Sequence, residues 1–336
     1  TPVFTPPLDT EIGGERLTVQ LVDVKLKNGK YSFGFDRFIR WVRLAQKCGI
    51  KYFEISHLFS QWGAKYTPKI MADVNGSQKR IFGWETSSDS IEYAEFLSAF
   101  IPQLIKVIRS LGIENSTFFH ISDEPNEDQI ESYSRAKSTV APLLEDFPII
   151  DALSDYSFYE SGIINNPIPC TNDIESFIKN GFPHPWTYYQ GGKLSNRFFG
   201  MPLSTTRIIG FQLFKYGIEG FLQWGFNFYN SQYSLRSIDP FSVTDADSAF
   251  PSGDSFTVYP GKNGAIESVR SEVFYQALQD MRALTLLCDR IGKKRTIAAV
   301  EADFGIITFF DYPRGTEKML NLRKSVNNYL DNLHKQ

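Results

Sequence analysis

Along the chain, short apolar runs alternate with longer stretches whose apolar residues recur three and four apart. That alternation of strand and helix periods belongs to a parallel sheet joined by crossover helices. A first apolar run covers residues 17–24. Phe38, Trp41, Val42, Ala45 and Cys48 follow at helical spacing, with Cys48 placed as a small core residue and Gly49 as the glycine that ends the helix. Residues 50–56 read as a strand. A helix over 89–111 carries Tyr93, Phe96, Leu97, Phe100, Leu104 and Ile108, and Pro102 inside it predicts a kink or a break. The strand 117–121 leads into a helix that opens with Asn126 and Gln129 spaced as a capping box, followed by a stripe of Ile130, Tyr133, Val140 and Leu144. The order then repeats: strand 148–153, helix 172–180, strand 186–189, helix 203–216, strand 220–225. A polar loop over 229–255 precedes a short strand, 256–259, and a helix over 265–289. The tail offers a candidate strand at 306–310 and a helix over 317–333. Between 57 and 88 the periodicity lapses, and an irregular stretch of that length, here with Trp62 and Trp84, is usually functional.

Seven strands are clear and an eighth is ambiguous. The expected fold is therefore α/β, a (β/α)8 TIM-type barrel with a short C-terminal appendage: residues 1–16 an upstream linker, 17–293 the barrel, 294–336 the appendage. The chain is long enough for a barrel of about 250 residues plus embellishment. A doubly wound open sheet is the alternative, but the Gly-rich phosphate turn that marks one is missing.

Composition narrows the function. The chain holds 29 Phe, 16 Tyr and 5 Trp, an aromatic excess that suits sugar stacking and a large core equally. Net charge is −3 with scattered basic residues, which argues against a nucleic-acid partner. No apolar run approaches the ~18 residues of a membrane span. Cys48, Cys170 and Cys288 are far apart, and no His/Glu spacing suits a metal, so neither a metal nor another cofactor is expected. The chain opens Thr1-Pro2-Val3 with no signal-peptide core, so an upstream segment is expected to have been removed, and the compartment is not legible.

The chemistry concentrates at Asp123-Glu124. In a barrel, reacting groups sit where strands end, and this pair follows the strand 117–121 directly. Adjacent residues on a regular strand point to opposite faces, so the chain must already be turning there. Pro125 is expected to push Glu124 toward an extended backbone. A plainer reading also exists, since Asp123, Glu124, Glu127 and Asp128 would complement a helix N-terminus. Aromatic and polar candidates for a sugar site stand at other strand ends: Trp186 and Tyr188 at one, Trp224, Asn227 and Tyr229 at another. Trp84 lies in the irregular stretch, Tyr156 just beyond a strand, and His120 at the end of the strand before the acidic pair, where a structural histidine is as common.

Phe119-His120-Ile121-Ser122-Asp123-Glu124-Pro125 resembles the catalytic strand of glycoside hydrolase family 123, the β-N-acetylgalactosaminidases. Phe82-Gly83-Trp84-Glu85-Thr86, residues 216–225, Pro251-Ser252-Gly253-Asp254, Tyr259-Pro260-Gly261 and Ser268-Val269-Arg270 extend the likeness. Members of that family usually carry a β-sandwich before the barrel, and this chain lacks the length for it. The resemblance implies a retaining, substrate-assisted hydrolase that releases terminal β-linked N-acetylhexosamine, GalNAc above all, through an oxazolinium intermediate. Glu124 would be acid and base, Asp123 would orient the 2-acetamido group, Tyr188 would grip its oxygen, and Trp224 would lie under the sugar. Close carboxyls cannot ionise independently, so Glu124 is expected to hold a proton beside an ionised Asp123. A GlcNAc-specific hexosaminidase and a carbohydrate-binding barrel without turnover are the alternatives.

Overall fold

The computed structural model describes residues 1–144, 147–189 and 195–335. It is a mixed α/β protein with several small sheets. The chain divides into two compact units, Thr1–Pro167 with Asn230–Ser237, and Ile168–Tyr229 with Ile238–Gln336.

The first unit begins with a hairpin, β1 (Asp23–Lys27) and β2 (Lys30–Gly34). Asn28 and Gly29 form its turn with φ of 52° and 72°, the left-handed pair a two-residue hairpin demands. Helix α1 (Asp36–Lys47) buries Phe38, Val42 and Ala45. Trp41 is 40% exposed, and Cys48 is exposed because it caps the helix instead of extending its buried stripe. Both therefore leave the core expected for them.

After β3 (Phe53–Ile55) the stretch read as irregular holds a second hairpin, β4 (Ile70–Val74) and β5 (Ser77–Phe82), turned at Asn75-Gly76 with φ of 52° and 89°. The sheet order is β2-β1-β4-β5. Helix α2 (Ile91–Ser110) is capped by Ser90, whose side chain accepts from Tyr93 N–H, and it continues through Pro102 as one helix. Eight of its side chains are buried, and Phe96 and Phe100 pack at tilted or edge-to-face angles against Phe4, Phe33 and Phe82 in an aromatic core. Val3, Phe4 and Thr5 are buried in the same unit. Strand β6 (Thr117–Phe119) pairs in parallel with β3, and on its other side Phe119 bridges Ile149 in parallel. Helix α3 (Ile130–Leu144) follows the anticipated capping box of Asn126 and Gln129. Strand β7 (Asp151–Ala152) and helix α4 (Tyr156–Glu160) complete the unit, whose boundary falls within β8 (Pro167–Ile168).

The second unit contains α5 (Ile174–Lys179), β9 (Trp186–Tyr188), α6 (Leu203–Arg207), α7 (Ile209–Tyr216) and β10 (Gly220–Leu222). Strands β9 and β10 are parallel, and Cys170 bridges Tyr188 in parallel. A hairpin of β11 (Tyr259–Gly261) and β12 (Gly264–Ile266) precedes α8 (Val269–Ile291), α9 (Lys293–Phe304) and α10 (Thr316–His334). Helix α8 packs on α6, α7, α9 and α10 around Phe211, Leu284, Leu287, Val300 and Leu322. Gly210 makes one crossing possible, since a Cβ there would lie 1.9 Å from the Ala277 carbonyl oxygen. Asp280 ties three helices by accepting from Arg207 of α6 at 2.6 Å and Arg323 of α10 at 3.0 Å. Residues 306–310 are not a strand: Thr308 folds them into a turn that buries Phe309 and leaves Ile306 exposed. Of the expected strand 256–259, Phe256 bridges Asn227 and β11 starts only at Tyr259.

Candidate active site

Two neighbouring segments clamp the chain that leaves β6. On one side Leu58 N–H donates to the His120 carbonyl at 3.2 Å, Phe59 N–H to Ile121 at 3.0 Å and Trp62 N–H to Asp123 at 2.9 Å. On the other, Glu124 N–H donates to the Ala152 carbonyl at 2.9 Å. Asp123 and Glu124 are thus held by backbone bonds to both neighbours, and both are half-buried. Glu124 has φ of 46°, a left-handed backbone in place of the extended one expected before Pro125. The lateral bonds override the local proline preference, and the turn they impose lets adjacent residues escape the opposed facing of a regular strand.

Beneath the pair lies a buried polar cluster. His120 is 2% exposed, with Nε2 3.3 Å from Glu54 Oε2 and Nδ1 3.4 Å from Asp151 Oδ1. Its ring lies 4.4 Å from that of His57. Asp151 Oδ1 also accepts from Ile121 N–H at 3.0 Å and Ser122 N–H at 3.3 Å, and Oδ2 accepts from the Tyr133 hydroxyl at 2.5 Å. Burial alone would lower the His120 pKa, but hydrogen bonds and charge from Asp151 and Glu54 carry it up to about 9. Burial and the nearby His120 hold His57 well below its usual value. His120 therefore sits beneath the site as a shared cation and leaves no exposed face for a substrate, which corrects the contact expected of it.

Glu54 and Asp151 flank this imidazole, and its charge also reaches Asp123. Burial and the adjacent Glu124 charge push the Asp123 carboxyl well above the usual carboxylate range. His120 and a hydrogen bond from Gln61 Nε2 to Asp123 Oδ2 at 2.7 Å oppose that rise. The upward shift falls on Asp123, which lies within reach of Asp151's charge as well as that of Glu124. His57, His120 and Asp151 also place ligand-type atoms within 4.8 Å of one another. A metal there would have to displace the proton that Asp151 and Glu54 favour on His120.

The other candidates fall into two groups. In the first unit, Trp84 is 1% exposed and its indole N–H donates to the Gly14 carbonyl at 2.9 Å, so it is a satisfied core residue and not a sugar contact. Tyr156 is half-buried against Tyr159. In the second unit, Trp186 lies flat over Gly220, where a Cβ would come within 2.0 Å of the indole. Tyr188 is 5% exposed. Trp224 is half-buried between Phe228 and Phe250, and it hydrogen-bonds the Asp254 carboxyl. Asn227 is exposed, and the Tyr229 hydroxyl donates to the Val258 carbonyl at 2.8 Å. Sequence reasoning passed over Gln61, Asp151 and Glu54. Asp151 lay in a strand already assigned, and Glu54 in one too, but nothing local marks either as a partner of His120. A depression of about 620 Å³ over β1, β2 and β4, lined by Asp23, Arg37 and Asp73 among others, includes none of these candidates.

The sequence profile of the glycoside hydrolase 123 catalytic domain matches residues 1–287. The chain belongs to that family. A similar solved structure is that of a family 123 glycoside hydrolase from Clostridium perfringens, described for the details of glycolipid glycan hydrolysis. It superposes with a TM-score of 0.63 at 14% identity, covering 98% of this chain and 60% of that one. At that identity the likeness is one of fold, and this family 123 chain spans 60% of the length of its structural relative. No curated protein matches it by sequence.

Proposed function

We propose that the protein is a retaining glycoside hydrolase that releases terminal β-linked N-acetylhexosamine, with GalNAc as the preferred sugar, by substrate-assisted catalysis. The observation that carries this reading is the clamped Asp123–Glu124 pair, with the raised carboxyl on Asp123, in a chain of family 123. A carboxylate of elevated proton affinity is a strong hydrogen-bond acceptor. When the substrate's acetamido N–H arrives, it takes the place of the proton on Asp123, which passes to the adjacent Glu124 carboxylate. Glu124 donates a proton to the leaving oxygen as the glycosidic C1–O bond breaks. The acetamido oxygen attacks C1 from the opposite face and forms the oxazolinium ion, whose positive charge Asp123 balances. Glu124, now ionised, takes a proton from water as the water opens that ring, and that proton returns to Asp123 when the product leaves, which restores the pair.

A (β/α)8 barrel over residues 17–293, with 294–336 as its appendage, is the architecture proposed for this chemistry. Support comes from parallel strand pairs within each unit, β3 with β6 and β9 with β10. Trp224, Trp186, Tyr188, Asn227 and Tyr229 of the second unit and Tyr156 of the first are the proposed glycan contacts, Trp224 foremost.

The test is release of nitrophenol from aryl β-glycosides of GalNAc, GlcNAc, galactose and glucose, together with inhibition by a thiazoline analogue of the bicyclic intermediate. GalNAc should be released fastest, and the thiazoline should bind far more tightly than the product sugar. Comparable cleavage of plain β-galactosides, with no effect of the thiazoline, removes the substrate-assisted mechanism.

A further inference from the structure

Six of the twelve described non-glycine residues with left-handed backbones belong to one small region of the first unit: Asp9, Trp62, Ala64, Glu124, Tyr233 and Ser234. Bulky L-residues rarely adopt this conformation, and such strain persists only where surrounding contacts over-determine it. Those contacts are explicit here. Trp62 has φ of 58°, and its N–H is bound to the Asp123 carbonyl. Gly63, at φ of 97°, lies so close to Gln129 that a Cβ would meet its side chain at 2.8 Å. Gln61 donates to the Asp123 carboxyl and accepts from Asp9 N–H at 2.6 Å. Asp9 in turn accepts from Tyr233 N–H at 2.9 Å through its carboxyl and from the Ser234 hydroxyl at 3.0 Å through its carbonyl. A continuous chain of hydrogen bonds thus runs from Asp123 through Gln61 and Asp9 to Tyr233.

Both strained aromatics sit at the ends of that chain, and they meet each other. The Trp62 and Tyr233 rings are edge to face, 6.0 Å apart at 83°. Yet Trp62 is 37% exposed, so core packing does not account for holding it in a costly backbone. A large apolar ring kept partly in water, rigidly tied to a reacting carboxylate, is what recognition of a sugar's apolar face requires. We propose that Trp62 and Tyr233 form an aromatic wall that receives a pyranose ring of the glycan cut at Asp123–Glu124. The proposal rests on the hydrolase reading above, and it assigns to the 60–64 turn the substrate contact that Trp84, in the core, does not make.

The strain itself supplies a discriminating variant. Glycine has no penalty at φ of 58°, so Trp62→Gly should melt at or above the wild-type temperature while losing the wall. With 4-nitrophenyl N-acetyl-β-D-galactosaminide, KM should rise about tenfold, the scale of one lost aromatic stacking contact, with a smaller change in kcat. Trp62→Phe should recover most of that loss. An unchanged KM in a folded Trp62→Gly enzyme overturns the wall, and so does a sharply lowered melting temperature, which would mark Trp62 as packing. A second arm needs no turnover: saturation-transfer NMR with methyl N-acetyl-β-D-galactosaminide on the Glu124→Gln protein. Transfer to the pyranose protons that disappears on adding Trp62→Gly supports the wall even if the wild type cleaves none of the aryl glycosides and the hydrolase reading falls. Equal transfer in both proteins removes the wall while leaving that reading untouched.

Discussion

Each unit buries a cluster of charged groups, and the two clusters have opposite compositions. In the first, one histidine serves Glu54 and Asp151, and burial together with the adjacent Glu124 charge drives Asp123 upward. In the second, two arginines attend one acid. Arg197 donates to the Gly225 and Asp254 carbonyls, and Arg270 donates to the Gly253 carbonyl while lying 4.5 Å from the Phe199 ring centre. These guanidinium groups are committed to backbone carbonyls, and they pin segments that approach too closely for any side chain: a Cβ on Gly225 would lie 2.2 Å from the Asp254 carbonyl oxygen. Burial raises the Asp254 carboxyl to about 6, against the pull of Arg197, Trp224 and Arg270. Low dielectric strengthens both clusters alike. What differs is the balance of charge. On the reading proposed above, the carboxyl-rich cluster serves proton transfer; arginines bound to carbonyls fix the backbone.

The sharpest break between the two would come from Glu124→Gln. The amide keeps the shape and cannot donate a proton, so turnover of an unactivated disaccharide should fall by about 10²–10⁴ with little change in melting temperature. Near-native activity would remove the acid/base role from the first unit. Arg197→Met in the second unit should do the reverse, acting on stability. It leaves two buried carbonyls without that donor and the Asp254 carboxyl without one of its nearby cations, and urea unfolding should register a loss of about 3 kcal/mol. A loss below about 0.5 kcal/mol would mean that the arginine cluster is not architectural. The smallest effect belongs to Gln61→Leu. Its hydrogen bond favours the ionised form of Asp123, so losing it should raise that carboxyl further and move the acidic limb of the kcat/KM profile to higher pH, by roughly half a unit to one unit. A limb that stays in place would show that Asp123 does not govern it.

Some of this was legible residue by residue. The helical stripes of α2 and α3, the Asn126–Gln129 capping box and the strand leading to Asp123-Glu124 are local patterns, because each depends on spacing along one element. The two hairpins of the first unit are equally local, and Asn28-Gly29 and Asn75-Gly76 are the strongest short-range signal for such turns, though the reading above does not use it. The acidic pair could be picked out for the same reason: its place after a strand and before a proline is a property of neighbours in sequence.

Only the tertiary structure decided what surrounds that pair. Glu124's left-handed backbone is imposed by bonds to Ala152 and, through Asp123, to Trp62; no preference written into Glu124-Pro125 predicts it. Which aromatic is buried and which stays in water separates Trp84 from Trp62, two residues that one-dimensional reading could not rank. The proton on His120 and the upward shift on Asp123 depend on Glu54, Asp151 and Gln61, which lie between 28 and 69 positions from one or the other and meet only in the fold. Burial and the sum of nearby charges set those protonation states, and both quantities exist only once distant segments are packed together.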